Sequence, residues 1–91
     1  MVQVMMRANV TDYQQWRSVF DSLEDLRRSK GSTGAKQVYR DADNPNTITI
    51  LLEWNNADSA REFLGSGALR EAMQKAGVIG APTMTAIVTT A

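Results

Sequence analysis

Apolar and polar residues alternate at positions 2–9, which predicts a first strand. An apolar stripe with steps of three and four residues follows and predicts one helix that packs a single face against a core. The stripe consists of Tyr13, Trp16, Phe20, Leu23 and Leu26. Thr11 as N-cap and Gln14 three residues later fit a capping box at the start of this helix. The last turn carries Arg27, Arg28 and Lys30, whose positive charges favour the negative end of the helix dipole, and Gly31 fits its end.

A hairpin is predicted in the middle of the chain. Residues 35–42 and 47–54 read as strands on either side of Asp43-Asn44-Pro45-Asn46, which is a strong turn signal. If these four residues form the loop, Arg40 lies opposite Thr49. The face opposite to that of Arg40 then receives the side chains of Tyr39, Ile48, Ile50, Leu52 and Trp54.

Two shorter helical segments and a last strand complete the pattern. Asn56 and Ser66 can act as N-caps, with Gly65 between the two segments, and residues 83–89 form a strand rich in Thr, Val and Ile. The predicted order is β-α-β-β-α-β, the ferredoxin-like arrangement of the α+β class, in a single domain over residues 1–91. Right-handed crossovers place the helices on one face of a four-stranded antiparallel sheet. The expected centre of the core is formed by Trp16, Phe20, Ile50 and Phe63.

The sheet face away from the helices is predicted to be mixed in character. It would carry Gln3, Met5, Arg7, Asn9, Lys36, Val38, Arg40, Thr49, Leu51 and Glu53, together with Thr85 and Ile87 or their neighbours. A domain of this size has a small core, and self-association is a common way to enlarge it. We therefore expect a second copy to pack its sheet on this face and to enclose a cavity lined partly by polar groups. The alternative is an ordinary solvated face with scattered apolar residues.

Composition excludes several classes of function. The chain has 10 basic and 10 acidic residues without a basic stripe, which argues against nucleic acid as a partner. It contains no Cys and no His, so neither disulfides nor a zinc, haem or copper site is expected. There is no apolar run long enough to span a membrane and no secretory leader pattern, so the cytoplasm is the expected location.

Several segments are similar to one group of small bacterial proteins. The stretch Val10-Thr11-Asp12-Tyr13-Gln14-Gln15-Trp16 resembles the V-x-D-Y-x-x-W opening of that group, and Asp43-Asn44-Pro45-Asn46, Leu52-Glu53-Trp54, Ala60-Arg61-Glu62-Phe63 and residues 69–82 continue the resemblance. The group belongs to the dimeric α+β barrel superfamily and is related to the antibiotic biosynthesis monooxygenases. The resemblance implies a homodimer of two face-to-face sheets. It also implies a space between sheet and helices that binds an aromatic or polyketide-like molecule, with no metal or flavin cofactor.

Seven side chains are candidates for binding such a ligand. They are Arg7, Asn9, Tyr13, Trp16, Arg40, Glu53 and Trp54. Asn9 can donate a hydrogen bond to a phenolate or enolate, the arginines can stabilise its charge, and the aromatic rings can stack on it. Each also has an ordinary explanation: core packing for the aromatic residues, the end of a strand for Asn9, and an ion pair with Lys36 for Glu53. No catalytic residue is assigned.

Three functions remain open at the level of sequence. The first is a non-catalytic module that binds a small molecule, and the second is a cofactor-independent monooxygenase or cyclase. The third is a structural dimerisation domain without a ligand. A fold resemblance does not decide among them, because one fold hosts many activities.

Overall fold

The computed structural model describes residues 1–89 of the 91-residue chain. Within these residues the elements are β1 (Val2–Asn9), α1 (Tyr13–Ser22), α2 (Glu24–Lys30), β2 (Ser32–Arg40), β3 (Thr47–Trp54), α3 (Ala57–Leu64), α4 (Gly67–Lys75) and β4 (Met84–Val88). The strands form one antiparallel sheet in the order β2-β3-β1-β4. The predicted ferredoxin-like α+β architecture is confirmed, with two helices in each crossover. None of the helices over residues 1–89 is long and apolar enough to cross a membrane.

The core lies between the helices and one face of the sheet. Alternate residues of the two central strands are buried there, beginning with Val2 and Val4 in β1 and Ile48 and Ile50 in β3. The helices contribute the other half of the core, which includes Trp16, Phe20, Ala60 and Phe63. The predicted centre of the core is confirmed. Burial of each such large apolar side chain contributes about 1.5–3 kcal/mol.

The first crossover contains two helices where the apolar stripe predicts one. The chain bends at Leu23, whose backbone N–H donates to the carbonyl oxygen of Phe20 at 3.3 Å and so spans three residues instead of four. The N-cap of α1 is Asp12, because its carboxylate accepts a hydrogen bond from the backbone N–H of Gln15 at 2.9 Å. The prediction of Thr11 as N-cap is therefore wrong. The predicted N-caps of α3 and α4, Asn56 and Ser66, are confirmed.

The predicted pairing of β2 with β3 is wrong by one residue. Arg40 lies opposite Ile48 and Val38 opposite Ile50, because the N–H of Asp41 donates to the carbonyl oxygen of Thr47 at 3.0 Å and leaves a five-residue loop. A shift of one residue turns every side chain of a strand to the other face of the sheet. The side chains of Lys36, Val38 and Arg40 therefore face the helices. Those of Gln37 and Tyr39 lie on the sheet face away from the helices, which we call the open face.

This register also changes the ion pairs that the sequence predicts. The Nζ of Lys36 lies 2.5 Å from Oε1 of Glu24 in α2, so the expected pair with Glu53 is not formed. The hydrogen bond from Lys36, followed by the attraction of its charge, lowers the pKa of Glu24. Glu53 instead accepts a hydrogen bond from the hydroxyl of Thr33 at 2.9 Å on the open face.

A pair of single substitutions tests the register of β2. Val38→Thr places a hydroxyl against the core without changing the side-chain volume, and we expect a loss of about 1–2 kcal/mol of unfolding free energy. Gln37→Thr, the matched control on the open face, should change it by no more than about 0.5 kcal/mol. Urea unfolding measures both, and the opposite order of the two losses would restore the register predicted from the sequence.

Candidate functional site

A cavity of about 70 Å³ lies between the helices and the sheet. Its walls are almost entirely apolar and come from β1, β3 and all four helices. For comparison, an engineered apolar cavity of about 150 Å³ holds one benzene ring. A bicyclic ligand thus needs some lining side chains to move. Met6 and Met73 line the cavity, and the unbranched methionine side chain adapts its shape more readily than the branched aliphatic ones.

Two pairs of aromatic rings line this cavity. The rings of Trp16 and Phe20 on α1 are stacked, with centroids 4.9 Å apart and an angle of 18° between their planes. The rings of Trp54 on β3 and Phe63 on α3 are 5.0 Å apart and tilted by 37°. Flat, polarisable walls of this kind favour flat aromatic ligands, which can stack on them or contact their edges.

Arg27 on α2 is the one ionisable residue among those that line the cavity. Its side chain reaches inward although it is charged, and the residue is only 5% exposed. Its Nη1 donates to the carbonyl oxygen of Phe20 at 2.7 Å, and its guanidinium carbon lies 4.0 Å from the centroid of the Phe20 ring. Burial lowers the pKa of Arg27, but an arginine side chain keeps its proton inside proteins. The cavity therefore has a fixed positive charge in its wall.

Two donors at this cavity lack an acceptor. Among residues 1–89, the buried side-chain polar atoms without a hydrogen-bond partner are Nη2 of Arg27 and Nε1 of Trp54, and both residues line the cavity. Trp54 is fully buried, so its indole N–H has no access to bulk water. Buried donors are nearly always paired in native proteins, and exceptions often mark functional sites. An oxygen atom of a bound ligand can supply the missing acceptor.

The sequence interpretation missed Arg27 because it placed this residue, with Arg28 and Lys30, at the negative end of the dipole of a single helix. The bend at Leu23 begins a new helix, and Arg27 turns toward the sheet. A signal was present, since position 27 follows Phe20 by seven residues and Leu23 by four, and both spacings belong to the apolar stripe. A charged residue at a position that belongs to an apolar stripe indicates either a bend in the helix or a buried charge.

Four of the seven predicted binding residues lie on the helix side of the sheet. Trp16 and Trp54 are brought together at the cavity. Tyr13 packs on Trp16 with ring centroids 5.9 Å apart, and the guanidinium carbon of Arg40 lies 4.0 Å from the centroid of the Tyr13 ring. Arg40 also donates from Nε to the carbonyl oxygen of Pro45 at 2.9 Å. The prediction that Arg40 shares a face with Arg7 is wrong, because β2 is shifted by one residue.

The other three predicted binding residues lie on the open face, behind the sheet. Arg7 donates to both carboxylate oxygens of Asp41, at 2.9 and 2.5 Å, and to the hydroxyl of Thr49 at 3.1 Å. The hydrogen bond to Asp41 raises the pKa of Arg7. Asn9 accepts a hydrogen bond from the hydroxyl of Thr47 at 2.8 Å. Like Glu53, these side chains have partners within the chain, and a ligand-binding role for them stays a prediction.

The open face combines these polar groups with exposed apolar side chains. In β4, Thr85 and Ile87 pair with Met6 and Val4 and face the helices, so their neighbours Met84, Ala86 and Val88 occupy the open face. Tyr39 of β2 lies on the same face and is 51% exposed. No group of three or more acidic side chains in residues 1–89 is placed to hold a metal ion.

Comparison of the sequence with protein-family models and with curated proteins gives no match. Solved structures of the same fold do match. An antibiotic biosynthesis monooxygenase-type protein from Bordetella bronchiseptica superposes with a TM-score of 0.80 at 14% identity, over 99% of this chain and 96% of that protein. SnoaB, a cofactor-independent oxygenase from Streptomyces nogalater, superposes with a TM-score of 0.77 at 17% identity, over 99% of this chain and 92% of SnoaB. Rv0793 from Mycobacterium tuberculosis superposes with a TM-score of 0.70 at 14% identity, over 99% of this chain and 94% of Rv0793.

These similarities define the fold. The chain has the fold of solved structures that are described as antibiotic biosynthesis monooxygenases. The resemblance seen in the sequence motifs is confirmed at this level. With identities of 20% or less, the superpositions carry no information about the ligand or the reaction of this chain.

Proposed function

We propose that this protein is a homodimer that binds an aromatic or polyketide-like small molecule between its helices and its sheet. The observation that carries the proposal is the apolar cavity walled by Trp16, Phe20, Trp54 and Phe63. Ligand sites are typically concave and mostly apolar, with a few polar groups that orient the ligand. Here those polar groups are the unpartnered donors of Arg27 and Trp54.

Binding can be tested with 2-naphthol, a two-ring probe that is neutral at pH 7. The chain has two tryptophans, so the two indole N–H signals in a ¹H–¹⁵N spectrum both report on the cavity wall. We expect these signals to shift with saturation and a Kd below about 1 mM.

A pair of substitutions on α4 shows whether the probe occupies the cavity. Ala72 lines the cavity, so Ala72→Leu should fill it and weaken binding at least about tenfold. Ala68→Leu, on the same helix but outside this cavity, is the matched control and should leave binding unchanged. Equal effects of the two substitutions would place the probe elsewhere.

The second copy in this proposal covers the open face of the sheet. The face exposes the apolar side chains of Tyr39, Met84 and Val88, and the partly buried Met5 and Leu51 lie on the same face. Exposed apolar residues of this kind become buried when two sheets pack face to face. The small core of a chain this short gains stability from the same contact.

Sedimentation velocity tests the dimer. At a protein concentration of about 10 μM, we expect a stable homodimer, which sediments with twice the 10.0 kDa mass of the chain. Leu51→Lys places a charge in the middle of the open face and should convert the protein to folded monomers, because the charge loses its water in the dimer. Gln74→Lys, on the exposed side of α4, is the control and should leave the dimer intact. A wild-type monomer would contradict the proposed dimer.

A second candidate function is cofactor-independent oxygenation. It is favoured by the superposition on SnoaB and by a cavity with one cation and no carboxylate, which suits a substrate that is oxidised as an anion. A suitable probe is 1-naphthol, which reacts with O₂ to give 1,4-naphthoquinone and water. One oxygen atom of O₂ enters the quinone. The other forms water with the two hydrogen atoms that the naphthol loses. Protein-dependent oxygen uptake matched to quinone formation would support this candidate. Uptake equal to that with heat-denatured protein would reject it.

A further inference from the structure

Arg27 is the feature of the cavity that packing alone does not explain. Buried arginines in native proteins are normally paired with a carboxylate. No carboxylate within residues 1–89 lies within ion-pair distance of this guanidinium group. Its Nη2 atom is buried and has no hydrogen-bond partner.

The two nearest acidic residues are committed to other cations. Glu24 is bound by Lys36 at 2.5 Å and lies 3.9 Å from Arg28, while Asp21 is bound by Arg17 at 3.0 Å. Both carboxylates raise the pKa of Arg27 through their charge, but neither contacts it. Three cations lie around the Phe20 ring, namely Arg17, Arg27 and Lys36. Since the other two have carboxylate partners, Arg27 is the one of these three cations without an ion-pair partner.

Arg27 is also not needed to satisfy the end of α1. The carbonyl oxygen of Phe20, which accepts from Nη1, already accepts a hydrogen bond from the backbone N–H of Leu23. If Arg27 were removed, this carbonyl would keep a partner. The Phe20 ring and the charges of Glu24 and Asp21 favour the buried guanidinium group, but they leave its Nη2 without a hydrogen-bond partner.

We propose that Arg27 selects ligands with a negatively charged oxygen, such as an aromatic carboxylate, phenolate or enolate, which accepts a hydrogen bond from Nη2. This inference rests on the proposed binding function and specifies the chemical class of the ligand. The aromatic walls bind the ring system and the guanidinium group binds its acidic substituent. Charge-assisted hydrogen bonds are shorter and stronger than neutral ones, so the preference for an anion should be large inside an apolar cavity.

The test compares two probes of the same shape, 2-naphthoate and 2-naphthamide, at pH 7. The wild-type protein should bind the anion at least about tenfold more tightly than the amide, as expected for a hydrogen bond to a charged group. Arg27→Met should abolish this preference, so that 2-naphthoate binds no more tightly than 2-naphthamide. Arg28→Met, on the same helix but outside the cavity, is the matched control and should keep the preference.

Folding of the variant is checked by its thermal midpoint. Methionine replaces a buried charge that has no ion-pair partner with an unbranched apolar chain, so Arg27→Met should unfold at the same temperature as the wild type or above it. A midpoint far below that of the wild type would overturn the inference, because it would show a structural role for the charge.

The binding results separate this inference from the proposed function. Equal wild-type affinities for the two probes would overturn the role of Arg27 and leave the binding function intact. Failure of both probes to shift the indole signals at millimolar concentration would contradict the binding function itself.

Discussion

The antiparallel pairing of β1 with β3 is the constraint on which the rest of the structure depends. Its register sets Val4 opposite Leu52 and Met6 opposite Ile50, so that the apolar residues of both central strands meet beneath the helices. Because side chains alternate along a strand, the same register sends Arg7 and its neighbours to the open face. The cavity and the proposed dimer surface are therefore built from adjacent positions of the same two strands.

The central strands and the N-caps of α3 and α4 could be predicted because their local patterns allow one solution. In β1 and β3 every second residue is apolar, and Asn56 and Ser66 stand where a helix must begin. The pattern of β2 is weaker. It has two adjacent residues, Val38 and Tyr39, that are both suitable for a core, so the strand has no clear apolar face. The loop length then decides the register, and the extra loop residue comes from a backbone hydrogen bond that the sequence does not reveal.

The site was predictable in its aromatic half only. Trp16 and Trp54 belong to regular apolar patterns, and either core packing or ligand contact brings them to the same place. Arg27 was missed although its spacing from Phe20 and Leu23 belongs to the apolar stripe, because a basic residue in the last turn of a helix is ordinarily exposed. The polar candidates Arg7 and Asn9 lie on the predicted face, but Asp41 and Thr47 already bind them there. Sequence patterns show which face a side chain takes and leave its partners undetermined.

The register of β2 affects the distribution of charge around Phe20. In the register expected from the sequence, Lys36 would lie on the open face beside Glu53, and Glu24 would be available to Arg27 three residues later on the same helix. The observed shift places Lys36 beneath α2, where it binds Glu24. Arg27 is then the one of the three cations around Phe20 that has no carboxylate partner, and its buried Nη2 has no hydrogen-bond partner. The register of β2 thus brings Lys36 to Glu24, and Arg27 on the same helix has no ion-pair partner.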